Sequence, residues 1–172
     1  GWQTTASDGM IEFWRSPIAL PPYFNVAEGT QMVELNANEV STLYQTFCVP
    51  TGGGNLTWSI KHRGRGGDHG TDNVTPDVAE VRLGNSLTSY SVLTTMSDTN
   101  QAWGTYSGTI TIPAGNPGTY FIMFSSVSAA GGFNSVGNFI DDVQISFTQN
   151  CIDSDGDGVS NSLDLDSDND GC

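Results

Sequence analysis

The chain has 172 residues, with 19 acidic and five basic side chains and a formal charge of -14. That length is enough for one good core, and the acidic balance argues against nucleic acid as a partner. No apolar run approaches the roughly 20 residues that span a bilayer, so membrane insertion is not expected. A single lysine, Lys61, amid abundant Gly, Ser, Thr and Asn reads as a secreted, extracellular β-rich protein rather than a cytosolic enzyme.

Composition shifts abruptly near position 150, which predicts a globular module over residues 1–149 and an acidic appendage over 150–172. Within the module the periodicity is two, Gly, Pro and Asn punctuate it every ten residues or so, and no helix is expected. The predicted strands cover 10–14, 30–37, 41–49, 56–63, 77–84, 89–96, 106–113, 118–127 and 138–147. Short strands with this punctuation make an all-β sandwich of two sheets.

The segment KHRGR holds three of the five basic residues, Lys61, Arg63 and Arg65, with His62 between them and His69 shortly after. Alternation sends Trp58, Ile60 and His62 to one face of their strand and Ser59, Lys61 and Arg63 to the other. Such a cationic face suits sulfate or carboxylate groups, which the arginine fork grips bidentately. Equally, Glu34 and Glu80 leave the apolar face of their strands and are placed to pair with Lys61, Arg63 or Arg82. Arg65, beyond a glycine, is the one a strand pair explains least. Trp103 and Tyr23 lie in loops and are candidate stacking platforms for a sugar ring, whereas Trp2, Trp14 and Trp58 are assigned to the core.

In NFIDDVQISF an unbroken alternation puts Phe139, Asp141, Val143, Ile145 and Phe147 on one face. An inward Asp141 then needs a metal, several N–H donors, or an arginine such as Arg15 or Arg82. Three cysteines allow one internal pair. Cys151 and Cys172 bracket the appendage and are placed to close it, with Cys48 a buried free thiol; a Cys172 paired outside this chain is the alternative.

The appendage reads CIDSDGDGVSNSLDLDSDNDGC. Asp153, Asp155 and Asp157 stand at positions one, three and five of a calcium loop, Gly158 at six, the Val159 carbonyl at seven, Asn161 at nine and Asp164 at twelve. Asp166, Asp168 and Asp170 begin the pattern again. Ca²⁺ is therefore the expected cofactor, neutralising a run that would otherwise repel itself.

Residues 151–172 resemble thrombospondin type 3 calcium repeats, which implies a spacer stiffened by metal. The strand FIDDV, after a GTYFIMF strand and a glycine-rich loop, resembles the last strand of galactose-binding-like jelly rolls, including carbohydrate-binding modules of families 4, 9 and 22. That resemblance implies a jelly roll and a structural calcium held by Asp141 or Asp142 with Glu12 or Asp8. The stretches TTASDGMIEFW, VELNANEVSTLYQ and HRGRGG resemble an uncharacterised jelly-roll module of large secreted bacterial proteins.

The function these readings predict is a non-catalytic carbohydrate-binding module, with other domains of the same secreted chain and a polysaccharide as partners. The polysaccharide is expected to be anionic, sulfated or uronate, bound by Lys61, His62, Arg63, Arg65, His69, Glu34, Trp103 and Tyr23. The alternative is a structural or adhesive spacer. An enzyme is disfavoured, because a glycosidase needs two carboxylates facing one another, and Asp141 and Asp142 are neighbours pointing opposite ways.

Overall fold

The computed structural model describes residues 1–16, 25–67 and 70–148. Ten strands run in the order β1 (Gln3–Thr4), β2 (Glu12–Arg15), β3 (Gln31–Glu34), β4 (Thr42–Val49), β5 (Gly54–Arg63), β6 (Asp77–Gly84), β7 (Tyr90–Asp98), β8 (Gly104–Ile112), β9 (Gly118–Ser128) and β10 (Phe139–Phe147). A short 3₁₀ turn, Ala130–Gly132, precedes the last strand. They form two five-stranded antiparallel sheets, a first of order β1-β4-β9-β6-β7 and a second of order β2-β3-β10-β5-β8. From β3 onward the chain crosses between the sheets at every connection except the β6–β7 hairpin, and the result is a jelly-roll β-sandwich. Eight of the nine predicted strands fall within about two residues of their observed positions. The prediction for 30–37 overran β3, and it missed the two-residue β1.

The core lies where period-two alternation puts it. Leu43, Val81, Leu83, Ile122 and Phe124 of the first sheet meet Leu56, Trp58, Ile60, Ile112 and Ile140 of the second. Each fully buried aliphatic or aromatic side chain adds roughly 1.5–3 kcal/mol of transfer free energy. Trp58 is core, as expected. Trp2 is 37% exposed, and Trp14 packs on the outside of its sheet, its ring 5.4 Å from Phe139.

One bulge overturns the single-phase reading of the last strand. The β10–β5 pairing shifts register between Asp141 and Gln144, and Asp142 sits at φ 47°. An extra residue flips every side chain before it to the opposite face. Ile140, opposite His62, is therefore inward, and Asp141, opposite Lys61, is outward. The Asp141 carboxylate accepts backbone N–H donors from Ala27, Glu28 and Asp142 at 2.7, 3.0 and 2.8 Å, so neither Arg15 nor Arg82 is its partner. Cys48 is disulfide-bonded, which corrects the free thiol. The pairing expected of Cys151 with Cys172 lies outside the described residues.

One end of the sandwich is sealed by buried polar groups. Asp77, fully buried, accepts N–H donors from Arg65 at 2.7 Å, Ala130 at 2.6 Å and Asn138 at 3.1 Å. Gly137 lies against it at φ 126°, and a Cβ there would come within 2.8 Å of the Asp77 carboxylate and 2.6 Å of Ala129. Truncation of Asp77 to Ala strands these three donors, and each buried unsatisfied group costs about 1–3 kcal/mol. Asp77→Ala is expected to lower the unfolding free energy by about 3 kcal/mol or more. Urea denaturation measures this, and a loss under about 1 kcal/mol would show that the segments hold without it.

Candidate functional site

Residues directly opposite in an antiparallel pair share a face, so the registers define which side chains stand on the outer face of each sheet, Met123 and Ser125 being buried there under their neighbours. On the outer face of the first sheet, Tyr44, Met123, Arg82 and Val92 form one line across β4, β9, β6 and β7. Thr46, Phe121, Gly84 and Tyr90 form the next, and Thr42, Ser125, Glu80 and Thr95 the one on the other side. The rings of Tyr44 and Phe121 lie 5.8 Å apart, tilted by 42°. Across the sheet the Arg82 guanidinium sits 4.6 Å from the centroid of the Tyr90 ring, and Tyr90 is 41% exposed.

Arg82 is aimed by a charged neighbour on its own strand. Its Nε and Nη2 each lie 2.7 Å from Glu80 Oε2, while Thr42 and Ser125 share a hydrogen bond of 2.6 Å beside them. Gly84 keeps its position between Phe121 and Tyr90 empty, since a Cβ there would meet the Tyr90 Cβ at 2.8 Å. From β4 to β7 the face spans three strand spacings, about 14 Å. It combines aromatic rings, planar charged groups and hydroxyls over that distance, the mixture that grips an amphipathic, hydroxyl-rich ligand.

The residues singled out from the sequence fall elsewhere and are mostly engaged. Lys61 points outward from the second sheet with its Nζ 3.7 Å from Asp142. His62 is inward and fully buried, Nδ1 2.8 Å from Asp98 and Nε2 2.9 Å from the Asn138 side-chain oxygen. Arg63 points outward and donates through Nη2 to the Asn100 carbonyl. Arg65 donates from Nη1 to both Glu34 oxygens, at 3.0 and 3.2 Å, and its guanidinium lies 4.9 Å from the Trp14 ring centroid. Trp103 is half-buried and donates to the Asn25 carbonyl at 3.0 Å. His69, Tyr23 and the calcium positions Asp153, Asp155, Asp157, Val159, Asn161, Asp164, Asp166, Asp168 and Asp170 lie outside the described residues.

Of the two metal candidates in the sandwich, Glu12 stands opposite Glu34 on β3, and Asp141 stands opposite Lys61 on β5. Among the described residues no group of three or more His, Cys, Asp or Glu is arranged to hold a metal ion. The outer face of the second sheet beyond Lys61 carries a shallow trough of about 490 Å³ lined by Thr57, Ser59, Ser107, Thr109, Gln144 and Ser146. Among the described residues no helix is long and apolar enough to cross a membrane.

No protein-family model matches the chain, and no curated protein sequence matches it. Its fold is shared with solved carbohydrate-binding modules. TmCBM61 in complex with β-1,4-galactotriose superposes with a TM-score of 0.53 at 14% identity, covering 84% of this chain and 87% of that one. The CBM22-1 xylan-binding domain of Paenibacillus barcinonensis Xyn10C gives 0.54 at 13% identity, covering 87% and 86%. The CBM22-1–GH10 modules of Clostridium thermocellum xylanase 10B, complexed with xylohexaose, give 0.53 at 16% identity, covering 85% of this chain and 26% of that one. The class defined is thus the jelly-roll β-sandwich. The likeness is one of fold.

Glu34 is the titrating group most altered by folding. Burial pushes its carboxyl from 4.5 up to about 7, against the charge of Arg65 and the Gly137 N–H, which favour the ionised form. A raised folded value means stability fully present below about pH 4.5 and lost as pH rises through about 7. The ceiling of that loss is about 3 kcal/mol. Thermal unfolding at steps between pH 4.5 and 8 should show the decline, and Glu34→Gln should flatten it; an unchanged slope in the variant would assign the decline to another group.

Proposed function

We propose that this domain is a non-catalytic carbohydrate-binding module of an extracellular or cell-surface protein, with its glycan on the outer face of the first sheet. The observation that carries this reading is the grouping of Tyr44, Phe121 and Tyr90 with the Arg82–Glu80 pair on the outer face of the first sheet, most exposed at Tyr90. Aromatic rings cover the apolar C–H face of a pyranose, while a paired arginine and carboxylate orient its hydroxyls. Neighbours of the same fold that bind xylohexaose and β-1,4-galactotriose support the ligand class.

A neutral polysaccharide fits this face, where Arg82 is matched by Glu80. The anionic preference rests instead on the second sheet, where Lys61 and Arg63 point outward, and it is the second reading. The two separate by salt and by variant. Calorimetric titration with xylohexaose and β-1,4-galactotriose should show binding insensitive to salt and weakened roughly tenfold, about 1.4 kcal/mol, by Tyr90→Ala. Affinity for a sulfated or uronate glycan that falls with salt and with Lys61→Ala would favour the second reading. Binding of no glycan at all would leave the structural spacer.

We also propose that residues 151–172 bind Ca²⁺ through Asp153, Asp155, Asp157, the Val159 carbonyl, Asn161 and Asp164, with Asp166, Asp168 and Asp170 starting a second loop. The alternating carboxylates and the glycine at position six support this, since a hard cation takes six to eight oxygens. Bound metal would stiffen the link to neighbouring domains of the chain. Calcium titration of the intact chain should show saturable binding that Asp155→Ala and Asp157→Ala abolish, and calcium should slow proteolysis of the segment. Heat of binding retained in both variants would sink the assignment.

A further inference from the structure

The sandwich is open along the side where its shortest strands lie. There, between β2, β3 and β10 of the second sheet and β4 of the first, sits a cavity of about 170 Å³. Its floor is apolar, with Leu43 and Ile140, and its mouth carries Trp2, Phe13, Gln31 and Asp142. We propose that this cavity is a second glycan site, taking one terminal pyranose unit, distinct from the aromatic face of the first sheet.

Size comes first. The cavity, at about 170 Å³, is of the order of one six-membered sugar ring. Its aromatic walls are held ready rather than collapsed. Trp2 rests on the core ring of Phe124 at 5.6 Å, yet remains 37% exposed, and Phe13 is 59% exposed. Large aromatics are seldom left open beside an apolar hollow unless something covers them.

The polar groups at the mouth have the chemistry of sugar recognition. Gln31, oriented so that its oxygen accepts from Arg15 at 2.9 and 3.2 Å, presents a fixed amide, and Asp142 lies beside it with one carboxylate oxygen accepting from Gln144 Nε2 at 3.0 Å and the other 3.7 Å from Lys61 Nζ. Asp142 is also a backbone outlier. A non-glycine residue at φ 47° in the last bulge of a central strand is a strained conformation, and such strain is found where a side chain is re-aimed for a task. A cationic partner would compete with Lys61, whose Nζ is already 3.7 Å from Asp142.

The test uses the intact chain and methyl β-glycosides of galactose, glucose and xylose as probes, followed by the indole N–H resonance of Trp2. At least one glycoside should saturate the wild type and shift that resonance. Phe13→Ala, at an exposed position, and Asp142→Gly, which suits the positive φ, should each weaken it tenfold or more, while Tyr90→Ala leaves it unchanged. Glycoside affinity that survives both cavity variants, or follows Tyr90→Ala, overturns the inference, as does a Trp2 resonance that no glycoside moves. Oligosaccharide binding indifferent to Tyr90→Ala, with the cavity variants behaving as stated, sinks the face and leaves the cavity standing.

Discussion

The architecture turns on one carboxylate that has left water. Asp77 is fully buried, and a carboxylate in that position is tolerable only with donors on both oxygens. Its donors are backbone N–H groups of three separate segments, the loop after β5, the turn after β9 and the residue before β10. Asn138 extends the arrangement. It takes up φ 59°, which asparagine tolerates better than most residues, and its amide donates to Asn36, Ser126 and Ser128 at 3.2, 3.1 and 3.0 Å. Because that amide is already committed as a donor, its oxygen faces His62 as an acceptor, and His62 donates from Nε2.

This network decides the fate of the basic residues. In a chain of charge -14, each of the five cations has a partner. Arg65 closes over Glu34, Arg82 joins Glu80, Lys61 approaches Asp142, and Arg63 and Arg15 donate to the Asn100 carbonyl and to Gln31. Lys61, Arg63 and Arg65 are thus each engaged by a partner within the chain. Arg65 leaves the strand at a glycine and turns back over Trp14 to reach Glu34, the partner that strand alternation could not supply.

Most of the strands and their facing were legible, because period-two patterning is local and the core obeys it from Leu43 to Phe124. The faces of β5 were read correctly through His62 and Arg63. The last strand was not, because a bulge at an aspartate leaves no glycine to mark it, and a one-residue slip reverses Ile140 and Asp141. The aromatic face was half visible. Tyr44 alternates with Leu43, and Glu80 and Arg82 with Val81, so each points away from the core on its own strand. What no local pattern shows is that β4, β9, β6 and β7 lie side by side, which is what brings Tyr44, Phe121, Arg82 and Tyr90 together.

Which outer face takes a glycan follows from what each offers in exchange for water. On the second sheet the trough is walled by serine and threonine hydroxyls and the Gln144 amide, with the buried Trp58 and half-buried Ile145 beneath. A sugar there replaces hydrogen bonds to water with hydrogen bonds to serine and threonine, a trade worth only about 0.5–1.5 kcal/mol per bond at best. On the first sheet the rings of Tyr44, Phe121 and Tyr90 remove apolar area at roughly 25 cal/mol per Å², and this gain asks for no sacrificed water bond. Arg82 and Glu80, already paired and oriented, lose little side-chain freedom when a ligand arrives. The aromatic face therefore starts with a favourable contact area and a smaller ordering cost, and the hydroxyl trough has neither.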